Sequence, residues 1–218
     1  MQNRIKPRKI PQQSRSRKTR EDILEATAHL LNRHALEEVS TNHIARKTGI
    51  SIGTLYKYYP NKDSILADLS RTYMQKDAEL VATILEKYDK YDKHPGHPPI
   101  EPLDELLDEL VDALMEIHMR DARVRGVVYQ NLERLKLVTE AQKTRQQIQV
   151  KGASIFPSME PGLTWVTLTA ISSIVFSMSQ LQPQHRNWAF ARNLCRHALG
   201  LLIAPKDQAV FDRLRDAR

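Results

Sequence analysis

The chain has 218 residues, a net charge of +7 and a globular composition, with 41% hydrophobic and 27% charged residues. One cysteine, Cys195, excludes an intrachain disulfide and fits a reducing compartment, so a cytoplasmic protein is expected. No run approaches the ~18 apolar residues of a membrane span, and the basic N-terminus lacks the apolar segment of a secretory signal, so no membrane partner is expected.

The charge is uneven. Residues 1–70 hold 13 Lys and Arg against 7 Asp and Glu, so nearly all the excess lies there. That asymmetry points to a polyanion-binding N-terminal module on a neutral body. Glycine is scarce, and Leu, Ala, Glu, Lys, Arg and Gln dominate, so the expected fold class is all-α.

Residues 1–15 read as a flexible basic arm, broken by Pro7 and Pro11. Arg17 stands where it gives way to a first helix over Ser16–His34, with Ile23, Ala26, Leu30 and Leu31 at helical spacing. Ser40 is an N-cap for a short helix over Thr41–Thr48 that buries Ile44 and Ala45. Gly49 supplies the positive φ past its end, and Ser51 caps a third helix over Ile52–Tyr58. Pro60 stops that helix, and Asn61 caps a long fourth one over Lys62–Tyr88. Two short helices across a three-residue turn make a helix-turn-helix.

The run from Arg20 to Leu69 resembles the DNA-binding domain of the TetR family of bacterial transcriptional regulators. The matching residues are Arg20, Ile23-Leu24, Ala26 and Leu30, then Ser40 with Ile44-Ala45. They continue with Gly49-Ile50-Ser51-Ile52-Gly53-Thr54-Leu55-Tyr56, then Tyr59, Asn61-Lys62-Asp63 and Leu66. The chain departs from the pattern at Ala35, where glycine is usual, and at Val39, where threonine is frequent. Tyr58 and Tyr59 stand where histidine and phenylalanine are commoner, and Tyr59 is expected to pack in the core with its hydroxyl at the edge.

The resemblance implies a ligand-responsive regulator, a repressor released from a double-stranded DNA operator by a small-molecule inducer. An architectural or division-related DNA-binding protein without inducer is the alternative. Domains are expected at 16–69 (helix-turn-helix) and 70–218 (helical ligand-binding and dimerisation). By resemblance, Thr41, Thr54, Tyr56, Tyr58 and Lys62 contact phosphates, with Arg17 on the arm side. Asn42, Ile52, Gly53 and Lys57 meet base edges, Gly53 by permitting close approach.

The body reads as further helices. Leu103, Leu106, Leu107, Leu110, Leu114 and Ile117 mark a fifth, after a proline-rich loop at 94–102. A sixth is expected over Asp121–Leu137 and a seventh over about Thr139–Ile155. Two more, at about 163–181 and 187–203, would pair with a second subunit as a homodimer, as the family does. Tyr73, Met115, His118, Met119, Tyr129, Trp165 and Phe176 are candidate liners of a ligand pocket; His118 and Tyr129 stand out as polar groups on apolar faces. The sequence contains no glycine-rich phosphate loop, paired-histidine zinc helix or nucleophile elbow, so neither an enzyme nor a cofactor is expected. His94 and His97 have ligand spacing but sit between prolines, and no metal is expected there.

Overall fold

The computed structural model describes residues 14–88, 100–155 and 161–203. Among them the regular structure is all-helical: α1 (Ser14–Leu31), α2 (Thr41–Thr48), α3 (Ile52–Tyr58), α4 (Lys62–Tyr88), α5 (Ile100–Arg120), α6 (Ala122–Gln130), α7 (Val138–Ile155), α8 (Pro161–Gln180) and α9 (Trp188–Ile203). A single 3-10 turn at Pro183–His185 separates the last two. Most of the basic arm, the pair His94 and His97, and Pro157 lie outside the described residues.

The chain divides into two compact units. The N-terminal unit runs to Gln75 and takes in Asp121–Ala141 as well; the C-terminal unit comprises Lys76–Arg120 and Gln142 onward. The sequence-based boundary at residue 69 lacks that second segment.

Local chemistry sets the helix ends in the N-terminal unit. The Ser40 hydroxyl accepts from the His43 N–H at 3.2 Å and caps α2. At its far end Gly49 is left-handed, with φ 74°. The Ile50 N–H reaches the Ala45 carbonyl at 3.0 Å and the Gly49 N–H the Arg46 carbonyl at 3.2 Å, the paired bonds of a Schellman motif. Ser51 caps α3 through the Thr54 N–H at 3.1 Å. Asn61 and Ser64 cap α4 reciprocally: the Ser64 N–H donates to Asn61 Oδ1 at 2.8 Å, and the Asn61 N–H to Ser64 Oγ at 3.3 Å.

The unusual Ala35 is accommodated without a left-handed residue, since Lys136 is the one non-glycine with positive φ among the described residues. Instead the Glu38 carboxylate accepts from the Ala35 N–H at 3.0 Å. The helix also stops earlier than His34: the Arg33 N–H turns onto the Leu30 carbonyl three residues back, a 3-10 bond that tightens the last turn. Val39 is buried beneath this loop.

The core of the unit joins Ile23 and Leu31 of α1, Ile44 of α2, Leu55 of α3 and Ile65 of α4 to Val124 and Val128 of α6, with Leu135 and Leu137 just beyond. The expected helix over Asp121–Leu137 is cut short at Gln130. The Asn131 side chain donates to the Val127 carbonyl at 2.7 Å and competes with the helical pattern. A six-residue turn follows, closed by Lys136 at φ 56° and by the Leu137 N–H on the Leu132 carbonyl at 2.8 Å. That turn drops Leu135 and Leu137 into the core. Ion pairs fasten the segment to α4: Arg134 to Asp63 at 2.7 Å, and Arg71 through both Nε and Nη2 to Glu140. The buried Arg125 guanidinium lies 4.7 Å from the centre of the Tyr73 ring, a cation–π contact.

In the C-terminal unit α5, α8 and α9 pack against one another. Leu106, Leu110 and Val111 of α5 meet Ile171 and Val175 of α8 and Cys195 of α9. Charges reinforce the apolar contact: Arg192 and Arg196, one turn apart on α9, pair with Asp112 and Asp108, one turn apart on α5. Lys87 on α4 pairs with Glu109.

Candidate nucleic-acid interface

α3 has seven residues and two faces. Leu55 is fully buried and fixes one side to the core. Ile52, Gly53, Tyr56 and Lys57 are exposed, and their spacing puts them on one stripe along the other side. At Gly53 the surface is open, since an added Cβ would have only Ser51 Oγ near it, at 3.9 Å. A helix anchored on one side and offering an aromatic hydroxyl, an ammonium and a bare backbone on the other can enter a major groove and meet both phosphates and base edges.

The structure brings several sequence-predicted residues together. Thr41 Oγ1 and the Tyr56 hydroxyl lie 3.2 Å apart, joining the first turn of α2 to the outer face of α3. Asn42 is exposed beside Thr41. Thr54 is half-buried, its hydroxyl 2.9 Å from Ser51 Oγ. Tyr58 is half-buried and packs against the core. Arg17 is exposed at the end of the first turn of α1.

Lys62 has a further tie that spacing did not reveal. Its Nζ donates to the Leu36 carbonyl at 2.7 Å, pinning the start of α4 to the loop between α1 and α2. An ammonium carries three donors, so one such bond leaves capacity for an anion.

Tyr59 corrects the expectation of a hydroxyl at the edge of the core. The whole side chain is buried, and the phenol donates to Asp68 Oδ2 at 2.5 Å. Burial, and then the Asp68 charge, push the phenol well above its ordinary value. The same carboxylate binds Arg20, whose own value is raised by those hydrogen bonds. Sequence reasoning missed this cluster. The available signal was an aspartate, Asp68, inside the apolar run Ile65-Leu66-Ala67-Asp68-Leu69.

The candidate ligand-binding residues are not gathered in one unit. Tyr73 and Tyr129 belong to the N-terminal unit; Met115, His118, Met119 and Phe176 belong to the C-terminal one, as does Trp165 on α8. His118 is buried and meets Phe176 edge to face, with ring centres 5.6 Å apart. Met115 packs at the rim of the C-terminal core, and Met119 is 47% exposed. Cys195 is fully buried, and desolvation pushes its thiol up to about 11, which suits packing and not nucleophilic work.

Residues 23–69 match the family model for bacterial regulatory proteins of the tetR family, and residues 102–199 match the tetracyclin repressor-like C-terminal domain. The HTH-type transcriptional regulator PksA of Bacillus subtilis (strain 168) is 29% identical over 75 residues. That stretch spans 34% of this chain and 37% of PksA, so little more than a third of the relative's length is matched. A candidate TetR-family regulator of Mesorhizobium loti MAFF303099 shares the fold at 14% identity, with a TM-score of 0.67 over 88% of this chain and 98% of that one. The multidrug binding protein EbrR, crystallised with imidazole, does so at 15% identity, with a TM-score of 0.59 over 87% and 97%. The chain belongs to the TetR family of bacterial transcriptional regulators and is a DNA-binding protein of the helix-turn-helix type.

Proposed function

We propose that the protein is a repressor that binds its operator as a homodimer and is released by a small molecule, working at the nucleoid in the cytoplasm. The observation that carries the ligand response is His118, an imidazole buried among apolar helices against the Phe176 ring. A buried polar ring in a mostly apolar core is the composition of a small-molecule site. α4 supports the coupling, because one helix supplies residues to both units. The similarity to EbrR, a multidrug binding protein, supports the same reading.

The homodimer is supported by apolar side chains left exposed on the last two long helices. Phe190 and Leu194 stand one turn apart on α9, 58% and 42% exposed, away from the buried Ala191 and Cys195. Val166 on α8 and Leu181 just past its end are exposed as well. Two copies of one surface pairing by a twofold axis would cover them and set two reading helices on successive half-sites.

In this reading Thr41, Thr54, Tyr56, Tyr58, Lys62 and Arg17 hold phosphates, and Asn42, Ile52, Gly53 and Lys57 meet bases. Inducer binds better to the conformation whose reading helices are wrongly spaced, and by linkage operator weakens inducer by the same factor. The test is a thermal-shift screen of hydrophobic cations, fatty acids and acyl-CoA compounds, followed by operator titration with any stabiliser. Release of operator by the stabiliser supports the proposal. Equal inducer affinity with and without operator removes the switch and leaves the inducer-free architectural role.

A further inference from the structure

On the proposed reading, on which this inference rests, four helices carry the DNA-facing residues of the N-terminal unit, α2 among them with Thr41 and Asn42. α1 leads in from the basic arm and bears Arg17, α3 bears the reading face, and α4 starts at Lys62. One carboxylate, on α4, is bonded to Arg20 within α1 and to the residue that ends α3. Asp68, on α4, is 3% exposed. Its Oδ2 accepts from the Tyr59 hydroxyl at 2.5 Å and from Arg20 Nε at 2.7 Å, and its Oδ1 accepts from Arg20 Nη2 at 2.6 Å. Tyr59 is the residue directly after α3, and its N–H also closes that helix on the Leu55 carbonyl.

A carboxylate this deep needs a countercharge and hydrogen bonds to both oxygens. Arg20 supplies the charge in a planar fork, which fixes angle as well as distance between α1 and α4. The Tyr59 ring would fill its space equally well as phenylalanine. Its hydroxyl therefore adds little to the apolar core, but it fixes how far the end of α3 lies from α4.

We infer that Arg20, Asp68 and Tyr59 are positioning residues for operator discrimination: they hold α3 at the angle at which its side chains meet base edges. Phosphate attraction is long-ranged and tolerates small rotations of the helix. Base-edge hydrogen bonds do not, because they weaken steeply away from about 3 Å and near-linear geometry. Loosening the cluster therefore costs sequence preference before it costs affinity for DNA at large.

Tyr59→Phe is the informative variant, since it keeps the ring and leaves Asp68 both donors from Arg20. Arg20→Lys keeps the charge and loses the fork. The full chain would first enrich duplexes from a random pool. Fluorescence anisotropy at one fixed salt concentration would then compare an enriched and a scrambled duplex for the parent and both variants. For Tyr59→Phe the ratio of the two affinities should fall about tenfold, the worth of one hydrogen bond to a charged group, with scrambled-duplex affinity unchanged. Arg20→Lys should move the same way. A folded Tyr59→Phe protein with the parent's ratio overturns the inference. So does equal weakening on both duplexes with a lowered melting temperature, which marks a merely structural role. A parent that enriches no motif overturns it at the root.

Discussion

The hydroxyls of Thr41 and Tyr56 lie 3.2 Å apart and join the capped start of α2 to the exposed stripe of α3. One of the two O–H groups is spent on the other, and the second remains for a phosphate oxygen. The pair should therefore act as a unit. Thr41→Val and Tyr56→Phe are each expected to weaken duplex binding by about 1 kcal/mol. The double variant should lose clearly less than the sum, with a coupling of about 0.5 kcal/mol or more in an anisotropy cycle. Strict additivity would show that the two hydroxyls work separately.

Gly53 separates folding from binding. It lies in the first turn of a helix, exposed, without positive φ and with open space where a Cβ would go. Gly53→Ala should stabilise the protein by about 0.5–1 kcal/mol through helix propensity. If α3 approaches the base pairs as closely as proposed, the same methyl group should weaken DNA binding. A variant that melts higher and binds as well as the parent would show that no close approach occurs there.

The buried Tyr59 phenol gives a pH signature. Its folded value is raised above the unfolded one, so its stabilising contribution is complete below about pH 10, where an unfolded tyrosine begins to ionise. Above that pH the unfolded chain loses the proton first, and stability falls until the folded value is reached. Denaturant titrations from pH 8 to 11 should show a steeper alkaline decline for the parent than for Tyr59→Phe. Identical slopes would mean that the phenol is not held neutral by the fold.

The segment Asp121–Ala141 is part of the DNA-binding unit by packing, although Lys76–Arg120 separates it from the rest in sequence. Leu135 is almost fully buried in that unit's core. Leu135→Ala is expected to cost about 2–5 kcal/mol. A fragment ending at Gln75 should likewise unfold at much lower denaturant than the full chain's N-terminal unit. Hydrogen exchange on α1 and α4 reads both effects, and unchanged protection would place the segment outside the unit.

What could be read in the sequence was local. Ser40, Gly49, Ser51, Pro60 and Asn61 punctuate α2, α3 and the start of α4 with bonds that span five residues or fewer, and those boundaries fall where expected. The end of the sixth helix did not, because Asn131 prefers its own bond to the Val127 carbonyl and leucine spacing continues past it. The pairs that tie α4 to α1 and to the loop between α1 and α2 were hidden for a different reason. Asp68 meets Arg20 across 48 residues, and Lys62 meets Leu36 across 26, so neither partner is marked by spacing. The family resemblance likewise marked Tyr73 and His118 alike as pocket liners without telling which unit each would join.

The central claim is sequence-specific recognition by α3 in a twofold protein. Selection of duplexes from a random pool by the full chain, repeated with Lys57→Ala, tests it most directly. The expected result is an inverted repeat of two short half-sites centred about one helical turn or a multiple of it apart. Lys57→Ala should relax one position in each half-site and leave the others intact. Enrichment of no motif, or an unchanged motif for Lys57→Ala, would contradict it.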